Sequence, residues 1–336
     1  MEPYMTRRRF LTLKAGAIAL DAAPTTVSSQ PTPSQERVRI ATGLRSALES
    51  LSWIATEVGI FKRLGFEATV KLETGGPECV AGLVRGDWEF AETGSAPFVQ
   101  GVIDGRDAVI LLAAMEPSTM GPPVLVRSTM SGQPAELDGK RIGVLTETGQ
   151  LAMAVRSALR TWGVTATLVP LETFAKTYAA LAAGQIDAGA FTLDYRFLGP
   201  REHGFKVIDT PGSGFVSAVV GCTRRLVATR RDLVANVVQG YVEAIHFFKT
   251  KRTDVIPLLQ QFLGFTDRGA VEDAYQFYAP QFQPLPRPSA VGIDKLVKEL
   301  ARKQPSAASL SLATVSDASF LDELERSGFV RTLYAR

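Results

Sequence analysis

The sequence predicts an α/β fold of two similar lobes, each built on a mostly parallel β-sheet flanked by helices. Three observations lead to this prediction. The chain has 336 residues, enough for two domains. A residue pattern recurs once at a spacing near 98. Each copy alternates strand-like and helix-like segments, and such alternation produces parallel sheets because parallel strands need crossover connections.

The repeat is visible in two pairs of segments. Residues 64–70 match residues 162–168, 98 positions later. A Leu-x-x-Gly-x-x-acid pattern that begins at Leu83 returns at Leu181, again 98 positions later. Two copies at this period are typical of two related lobes, since solenoid repeats are much shorter. The glycine of the pattern is expected to end a helix and the acid to cap the next element, so we interpret both as architectural.

The elements of the two copies occur in the same order. The first copy predicts a strand, helix, strand, helix and strand at residues 38–42, 48–64, 68–72, 77–85 and 88–91. The second copy predicts the same elements at residues 141–145, 151–162, 166–171, 175–183 and 188–191. Beyond Arg230 the apolar spacing is helical, with helices expected at residues 231–250, 255–263, 268–278, 292–303 and 317–327. Three prolines within residues 281–288 predict a loop there.

Residues 1–35 are expected to be an export signal and a linker. The segment from Thr6 to Leu11 reads Thr-Arg-Arg-Arg-Phe-Leu and is similar to the twin-arginine export signal. A modest apolar run to Leu20 and a Pro/Ser/Thr-rich stretch come after it. The alternative interpretation is a basic disordered tail.

Composition and charge exclude several classes of protein. Residues 36–336 hold 33 Lys and Arg against 32 Asp and Glu, a net charge of +1, which argues against a nucleic-acid partner. No stretch of 18 apolar residues occurs, so no membrane span is expected. Cys79 and Cys222 could form a disulfide in an oxidising compartment or remain free. His203 and His246 show no metal-ligand spacing, and neither a metal nor a cofactor is expected.

Candidate ligand-binding residues lie in the loops that come after the repeated strands. Ligands of parallel α/β sheets bind beyond the carboxyl ends of the strands, where loops and helix N-termini meet. Glycines and hydroxyls in these loops suit ligand binding, although helix N-caps use the same residues for stability alone. The candidates are Leu44, Arg45, Ser46, Gly75, Gly76, Thr93, Gly94, Ser95, Ala96, Glu116, Thr148, Gly149, Gln150, Thr192, Asp194 and Tyr195.

The charged and aromatic candidates allow opposite ligand chemistries. Arg45 could pair with a carboxylate or sulfonate, or it could be a solvated surface cation. Asp194 could receive an amine or ring N–H, or it could cap a helix. Tyr195 or Phe191 could stack on a ring. The loops hold more acids than bases, which favours a ligand with amino or cationic character over nitrate or a simple sulfonate.

Five motifs occur in a fixed order along most of the chain. They are VRIA at 38–41, ATEVGIFKRLGFEA at 55–68, GDWEFAETGSAP at 86–97, LDGKRIGV at 137–144 and ALAAGQIDA at 180–188. With these motifs the chain resembles the type II periplasmic solute-binding proteins of the nitrate, sulfonate, taurine and thiamine-precursor branch. The loop Leu-Arg-Ser-Ala at 44–47 departs from the aromatic and Gln/Pro residues common in this family.

The resemblance implies the type II periplasmic binding protein fold with a hinge of two crossings. We place the crossings near Pro123 and Arg224, so that lobe 1 comprises residues 36–123 and 224–336 and lobe 2 residues 124–223. It also implies a periplasmic receptor that binds a small organic solute. Such a receptor is expected to work as a monomer with the permease and ATPase subunits of an ABC importer.

Enzymes on the same fold are the alternative, including a thiamine-pyrimidine synthase and a desulfinase with a nucleophilic cysteine. The synthase would need a Cys-rich segment and a reactive histidine, and neither is visible. Cys79 lies in the first turn of a predicted helix, where its pKa could be lowered, but no candidate loop holds a histidine as base. We therefore expect a structural cysteine and no catalytic activity. A sensor module would fit the same cleft.

Overall fold

The computed structural model describes residues 36–115 and 120–335. The predicted export signal and linker at residues 1–35, and the candidate residue Glu116, lie outside the described residues. The strands are β1 Glu36–Thr42, β2 Phe66–Leu72, β3 Phe90–Thr93, β4 Val109–Met115, β5 Val124–Val126, β6 Arg141–Val144, β7 Thr167–Pro170, β8 Ala188–Ala190, β9 Lys206–Ile208 and β10 Ser217–Cys222.

Helices cover the sheets and form most of the C-terminal third. The α-helices are α1 Leu51–Glu57, α2 Ile60–Arg63, α3 Gly76–Arg85, α4 Ser95–Ile103, α5 Gln150–Trp162, α6 Phe174–Ala182, α7 Asp194–His203, α8 Arg224–Thr229, α9 Arg231–Thr250, α10 Arg252–Leu263, α11 Arg268–Tyr278, α12 Ala290–Ala301, α13 Leu312–Val315, α14 Ser319–Arg326 and α15 Phe329–Tyr334. Short 3₁₀ helices occupy Ala47–Glu49, Pro134–Leu137 and Pro305–Ser309. No helix among the described residues is both long enough and apolar enough to cross a membrane.

The two sheets have equivalent strand orders, β2-β1-β3-β10-β4 and β7-β6-β8-β5-β9. The first three strands of each order are parallel. The fourth strand is antiparallel to both of its neighbours, so four of the five strands in each sheet share one direction. The predicted α/β fold with two related, mostly parallel lobes is confirmed.

The fourth strand of each sheet comes after a crossing between the lobes. β5 enters the second sheet after the first crossing, which agrees with the predicted position near Pro123. β10 returns to the first sheet and pairs with β3 and β4. The second crossing therefore lies between Ile208 and Ser217, and the predicted position near Arg224, with lobe 2 ending at residue 223, is wrong. The apolar run of β10 suits either sheet, and its pairing is decided by tertiary contacts.

The repeated Leu-x-x-Gly-x-x-acid pattern is architectural, as predicted. Both glycines have a positive φ, 82° and 72°, and lie just beyond a helix. The carboxylate of Glu89 accepts a hydrogen bond from the backbone N–H of Arg39 at 2.7 Å. In the second copy Asp187 accepts one from the N–H of Arg141 at 2.9 Å. Each acid thus ties the start of its own strand to the neighbouring first strand, which fixes the register of the two strands.

The helix predicted at residues 48–64 is instead divided into Ala47–Glu49, α1 and α2. Gly59 has a left-handed conformation between α1 and α2, and this interrupts the helix while the apolar side chains still face the core. The predicted C-terminal helices are present to within a few residues. α9 packs its buried face, with Val237 and Tyr241, against α1, α2 and β4.

Gly82 allows α3 to approach Trp88 closely. A Cβ atom at Gly82 would lie 2.0 Å from Cζ2 of Trp88. The indole N–H donates to the carbonyl of Cys79 at 2.7 Å, so the ring loses a hydrogen bond if it turns away. We expect Gly82→Ala to lower the free energy of unfolding by about 1 to 3 kcal/mol, measured by urea denaturation. Val84→Ala, on the exposed side of the same helix, should change it by less than about 0.5 kcal/mol. Equal stability of the two variants would contradict the steric argument.

Candidate ligand-binding site between the lobes

A cavity of about 130 Å³ lies between the two lobes and is called the cleft cavity below. Both sheets contribute residues to its walls, as expected at the ends of parallel strands. The apolar walls include Leu44, Leu48, Pro97, Met115, Met120, Pro122, Leu145, Leu151, Phe191, Leu193 and Phe215. The polar side chains are those of Glu49, Thr93, Thr146, Gln150, Thr192, Ser213, Ser217 and Tyr278.

Half of the predicted ligand-binding residues line the cleft cavity. They are Leu44, Gly75, Gly76, Thr93, Gly94, Gly149, Gln150 and Thr192. Arg45 and Tyr195 line a wider cavity of about 670 Å³, the outer cavity, which shares Leu44 and Leu145 with the cleft cavity. Neither cavity is lined by Ser46, Ser95, Ala96, Thr148 or Asp194.

Gln150 joins the two lobes through four hydrogen bonds. It is the first residue of α5, and its Oε1 accepts from the N–H of Ala96 at 3.0 Å and from Oγ of Ser95 at 3.2 Å. Its Nε2 donates to the carbonyl of Val216 at 3.0 Å and to Oγ of Ser217 at 2.9 Å. The polar groups of Ser95 and Ala96 are thus occupied within the protein, since the Ser95 hydroxyl also donates to the carbonyl of Val216 at 2.7 Å.

Two of the predicted glycines are required by close approaches. A Cβ atom at Gly94 would lie 2.7 Å from Oε1 of Gln150 and would obstruct the contact between the lobes. A Cβ atom at Gly76 would lie 2.4 Å from Oγ1 of Thr93, where two loops of the first lobe meet. Both glycines therefore shape the cleft through packing, whatever they contact in a ligand.

Asp194 links the lobes from the first turn of α7. Its side chain is buried; Oδ2 accepts from Oγ of Ser46 at 2.5 Å and Oδ1 accepts from the N–H of Ala47 at 3.0 Å. Burial raises the pKa of Asp194, and these hydrogen bonds partly offset the shift. Ser46 also caps its own short helix by accepting from the N–H of Leu48 at 3.2 Å. Asp194 and Ser46 were predicted to bind ligand, but both carboxylate oxygens and the serine hydroxyl are occupied within the protein.

Tyr195 packs into an aromatic cluster away from the cleft cavity. Its ring stacks on Phe191 at a centroid distance of 4.7 Å and meets the edge of Phe265 at 5.2 Å. Phe191 is the member of this pair that lines the cleft cavity. Arg45 lines the outer cavity, so of the predicted recognition side chains Arg45, Asp194, Tyr195 and Phe191, Phe191 is the one that lines the cleft cavity.

The sequence analysis missed Glu49, a buried acid that lines the cleft cavity. Glu49 ends the short helix Ala47–Glu49 and is 1% exposed. Its Oε2 accepts from Oγ1 of Thr42 at 3.4 Å, whereas Oε1 has no hydrogen-bond partner among the described residues. Burial, together with the negative charge of Glu92, raises the pKa of Glu49 well above its usual value, and nearby backbone N–H groups offset only part of this shift.

Glu92 is a second buried acid, behind the cavity wall. Its Oε2 accepts from the N–H and Oγ of Ser52 at 3.1 and 2.5 Å, and from the hydroxyl of Tyr241 at 3.4 Å. Burial nevertheless raises the pKa of Glu92 to about 7. Glu92 does not line the cleft cavity; its hydrogen bonds connect β3 with α1 and α9.

Neither cysteine is suited to act as a nucleophile. Cys79 and Cys222 are free and buried, and burial raises the pKa of both thiols. They form no disulfide with each other. In the described part of the chain, no cluster of three or more His, Cys, Asp and Glu side chains could hold a metal ion.

The fold and cleft define a two-lobed periplasmic binding protein architecture. Residues 31–259 match the model of the NMT1-like family, which is more than half of the chain. The protein belongs to this family, and the predicted family is confirmed. Among curated proteins, none matches the chain at a significant level.

Solved structures of other proteins share this fold. The alkanesulfonate-binding protein SsuA from Xanthomonas axonopodis pv. citri, bound to MOPS, is 21% identical, with a TM-score of 0.69 over 84% of this chain and 98% of that chain. The periplasmic nitrate-binding protein NrtA from Synechocystis PCC 6803 is 12% identical, with a TM-score of 0.68 over 88% and 89%. A cysteine-to-serine mutant of DSZB in complex with biphenyl-2-sulfinic acid is 18% identical, with a TM-score of 0.61 over 87% and 99%.

The raised pKa of Glu92 makes stability depend on pH. The folded protein favours the protonated acid, so this contribution is present below pH 4.5 and is lost as the pH rises through about 7. The wild type should therefore lose roughly 3 kcal/mol more unfolding free energy than Glu92→Gln between pH 4.5 and pH 8. Urea denaturation at several pH values measures this difference. Glu67→Gln, an exposed change on β2, should track the wild-type curve. Parallel curves for wild type and Glu92→Gln would contradict the assignment.

Removing the Gln150 side chain should loosen the contact between the lobes. Gln150→Ala removes the bonds that Gln150 forms with Ala96, Val216 and Ser217, and leaves the N–H of Ala96 without its partner. We expect a larger radius of gyration in small-angle X-ray scattering and a loss of about 1 to 3 kcal/mol of stability. Gln185→Ala, at an exposed position of lobe 2, serves as the control. A radius of gyration equal to that of the control would argue against the role of Gln150.

Proposed function

We propose that the protein is a periplasmic solute-binding receptor of an ABC importer. In this role it binds a small organic solute between its lobes and, as a monomer, delivers it to the permease and ATPase subunits. The observation that carries the proposal is the cleft cavity, whose walls come from both lobes while Gln150 and Asp194 form hydrogen bonds across the cleft. A receptor of this type must enclose its ligand and present a closed form to its partner, and hinge closure provides both.

Location and ligand size agree with this role. The twin-arginine pattern in residues 6–11 supports export to the periplasm. Two proteins with the same fold are described as binding an alkanesulfonate and nitrate, both small solutes. A cavity of about 130 Å³ is smaller than most ligand pockets and limits the solute to a compact one.

The chemistry of the cleft argues against a cysteine-dependent enzyme on this fold. Cys79 and Cys222 are buried with raised thiol pKa values, whereas a nucleophilic cysteine needs a lowered pKa and access to substrate. None of the described residues that line the cleft cavity is a histidine that could act as a base. His203 lies in the wall of the outer cavity, packed against Tyr178 and Phe205.

A thermal-unfolding screen with small solutes tests the receptor function. A ligand that binds only the folded protein adds about 2.7 kcal/mol of stability at 100 times its Kd, so a true ligand should raise the unfolding midpoint by several degrees. Mass spectrometry should recover the bound compound unchanged, and deletion of the gene should abolish its uptake. Chemical conversion of the compound by the purified protein would overturn the receptor proposal.

A further inference from the structure

The charge of the cleft cavity comes from one acid. Glu49 is the one acidic residue among the described residues that line the cavity, and none of these residues is Lys, Arg or His. A sulfonate or nitrate held in this cavity would be desolvated beside an acid, without a cationic side chain to compensate.

Helix N-termini could replace a cation, but the first N–H groups of α4 already have partners. The N–H of Ser95 donates to the carbonyl of Val216 at 3.4 Å and that of Ala96 donates to Gln150 at 3.0 Å. Before α5, the N–H of Gly149 donates to Oγ1 of Thr146 at 3.1 Å. An anion at the start of α4 would have to displace these bonds, including one that holds the lobes together.

The carboxyl group of Glu49, by contrast, needs a hydrogen-bond donor. Its Oε1 is buried without a partner, and a buried acceptor without a donor is costly. Resting on the proposed receptor function, we infer that Glu49 binds an N–H donor group of the solute, and that the cleft cavity selects amines, amidines and related nitrogen bases over sulfonates and nitrate.

The rest of the cavity sets the shape of this solute. Phe191, Phe215 and Tyr278 contribute aromatic walls, and leucine and methionine side chains contribute much of the remainder. The solute therefore has a compact apolar body and one nitrogen-bearing end. Benzamidine and benzenesulfonate form a suitable probe pair, since they share a ring and differ in the charged group.

The direction in which affinity changes with pH distinguishes a nitrogen base from an anion as the ligand. Several titratable groups act on Glu49 from the surrounding elements: Glu92 of β3, Tyr278 of α11, Tyr241 of α9 and Cys79 of α3. Benzamidine stays cationic between pH 5 and pH 9, so its binding must expel the proton of the acid. Its affinity should rise about tenfold per pH unit until the pH passes the pKa of Glu49. Benzenesulfonate would show the opposite trend.

Isothermal titration calorimetry on the full-length protein provides the test. We expect benzamidine to bind more tightly than benzenesulfonate or nitrate, and Glu49→Gln to weaken it by about tenfold or more and to abolish the pH dependence. Glu67→Gln is the control, because it makes the same change at an exposed acid of β2 outside the cavity lining. At pH 8 it should alter the affinity by less than about threefold.

Three outcomes would overturn the inference. The first is tighter binding of benzenesulfonate or nitrate, which leaves the receptor function intact. The second is benzamidine binding that is equal in wild type and Glu49→Gln; if that variant does not fold, a wild-type affinity that does not rise with pH has the same meaning. The third is no binding of either probe class at millimolar concentration. In that case the receptor proposal falls as well only if the wider solute screen finds no ligand.

Discussion

The hydrogen bonds of the buried Asp194 carboxylate are the interaction on which the geometry of the cleft depends. Asp194 belongs to lobe 2, and it holds the hydroxyl of Ser46 and the N–H of Ala47 in lobe 1. Ser46 caps the short helix that ends at Glu49. Separation of the lobes would break both bonds to Asp194, and an unpaired buried carboxylate is costly enough to require water at this point. Lobe closure and the position of Glu49 are therefore coupled.

Two buried acids share the interior of lobe 1 but differ in how they are satisfied. Glu92 receives three hydrogen bonds on one oxygen and lies behind the cavity wall. Glu49 receives one long side-chain bond, from Thr42, and faces the cavity. Burial disfavours ionisation of both acids, and the negative charge of Glu92 adds to this effect at Glu49. A cationic group in the cavity would offset this repulsion for Glu49 first, because Glu49 is the acid that a solute can reach.

Much of the fold could be predicted from the sequence because the chain repeats itself. The copied strands and the Leu-x-x-Gly-x-x-acid corners specify local structure through turn chemistry and apolar spacing, so the parallel part of each sheet could be derived from them. The assignment of β10 could not, since residues 217–222 are almost wholly buried and pair equally well with either sheet by composition.

The loops were located correctly, but loop position does not give side-chain direction. The sequence therefore did not show that the side chains of Arg45 and Tyr195 line the outer cavity. Glu49 was missed because it lies within a helical pattern of apolar residues. The position of this acid between the apolar residues Leu48 and Leu51 was the indication in the sequence that it is buried.

Closure of the cleft also determines which ligand chemistry remains available inside it. When Gln150 reaches across to Ala96, it occupies a donor at the N-terminus of α4, which is the kind of group that binds anions in an open cleft. The same closure leaves Oε1 of Glu49 buried and without a donor. A solute that donates a hydrogen bond to Glu49 would therefore stabilise the closed form, whereas the N–H groups at this end of α4 are already satisfied by the protein. Selectivity for the ligand then depends on the bonds that hold the lobes together as much as on the residues that touch the ligand.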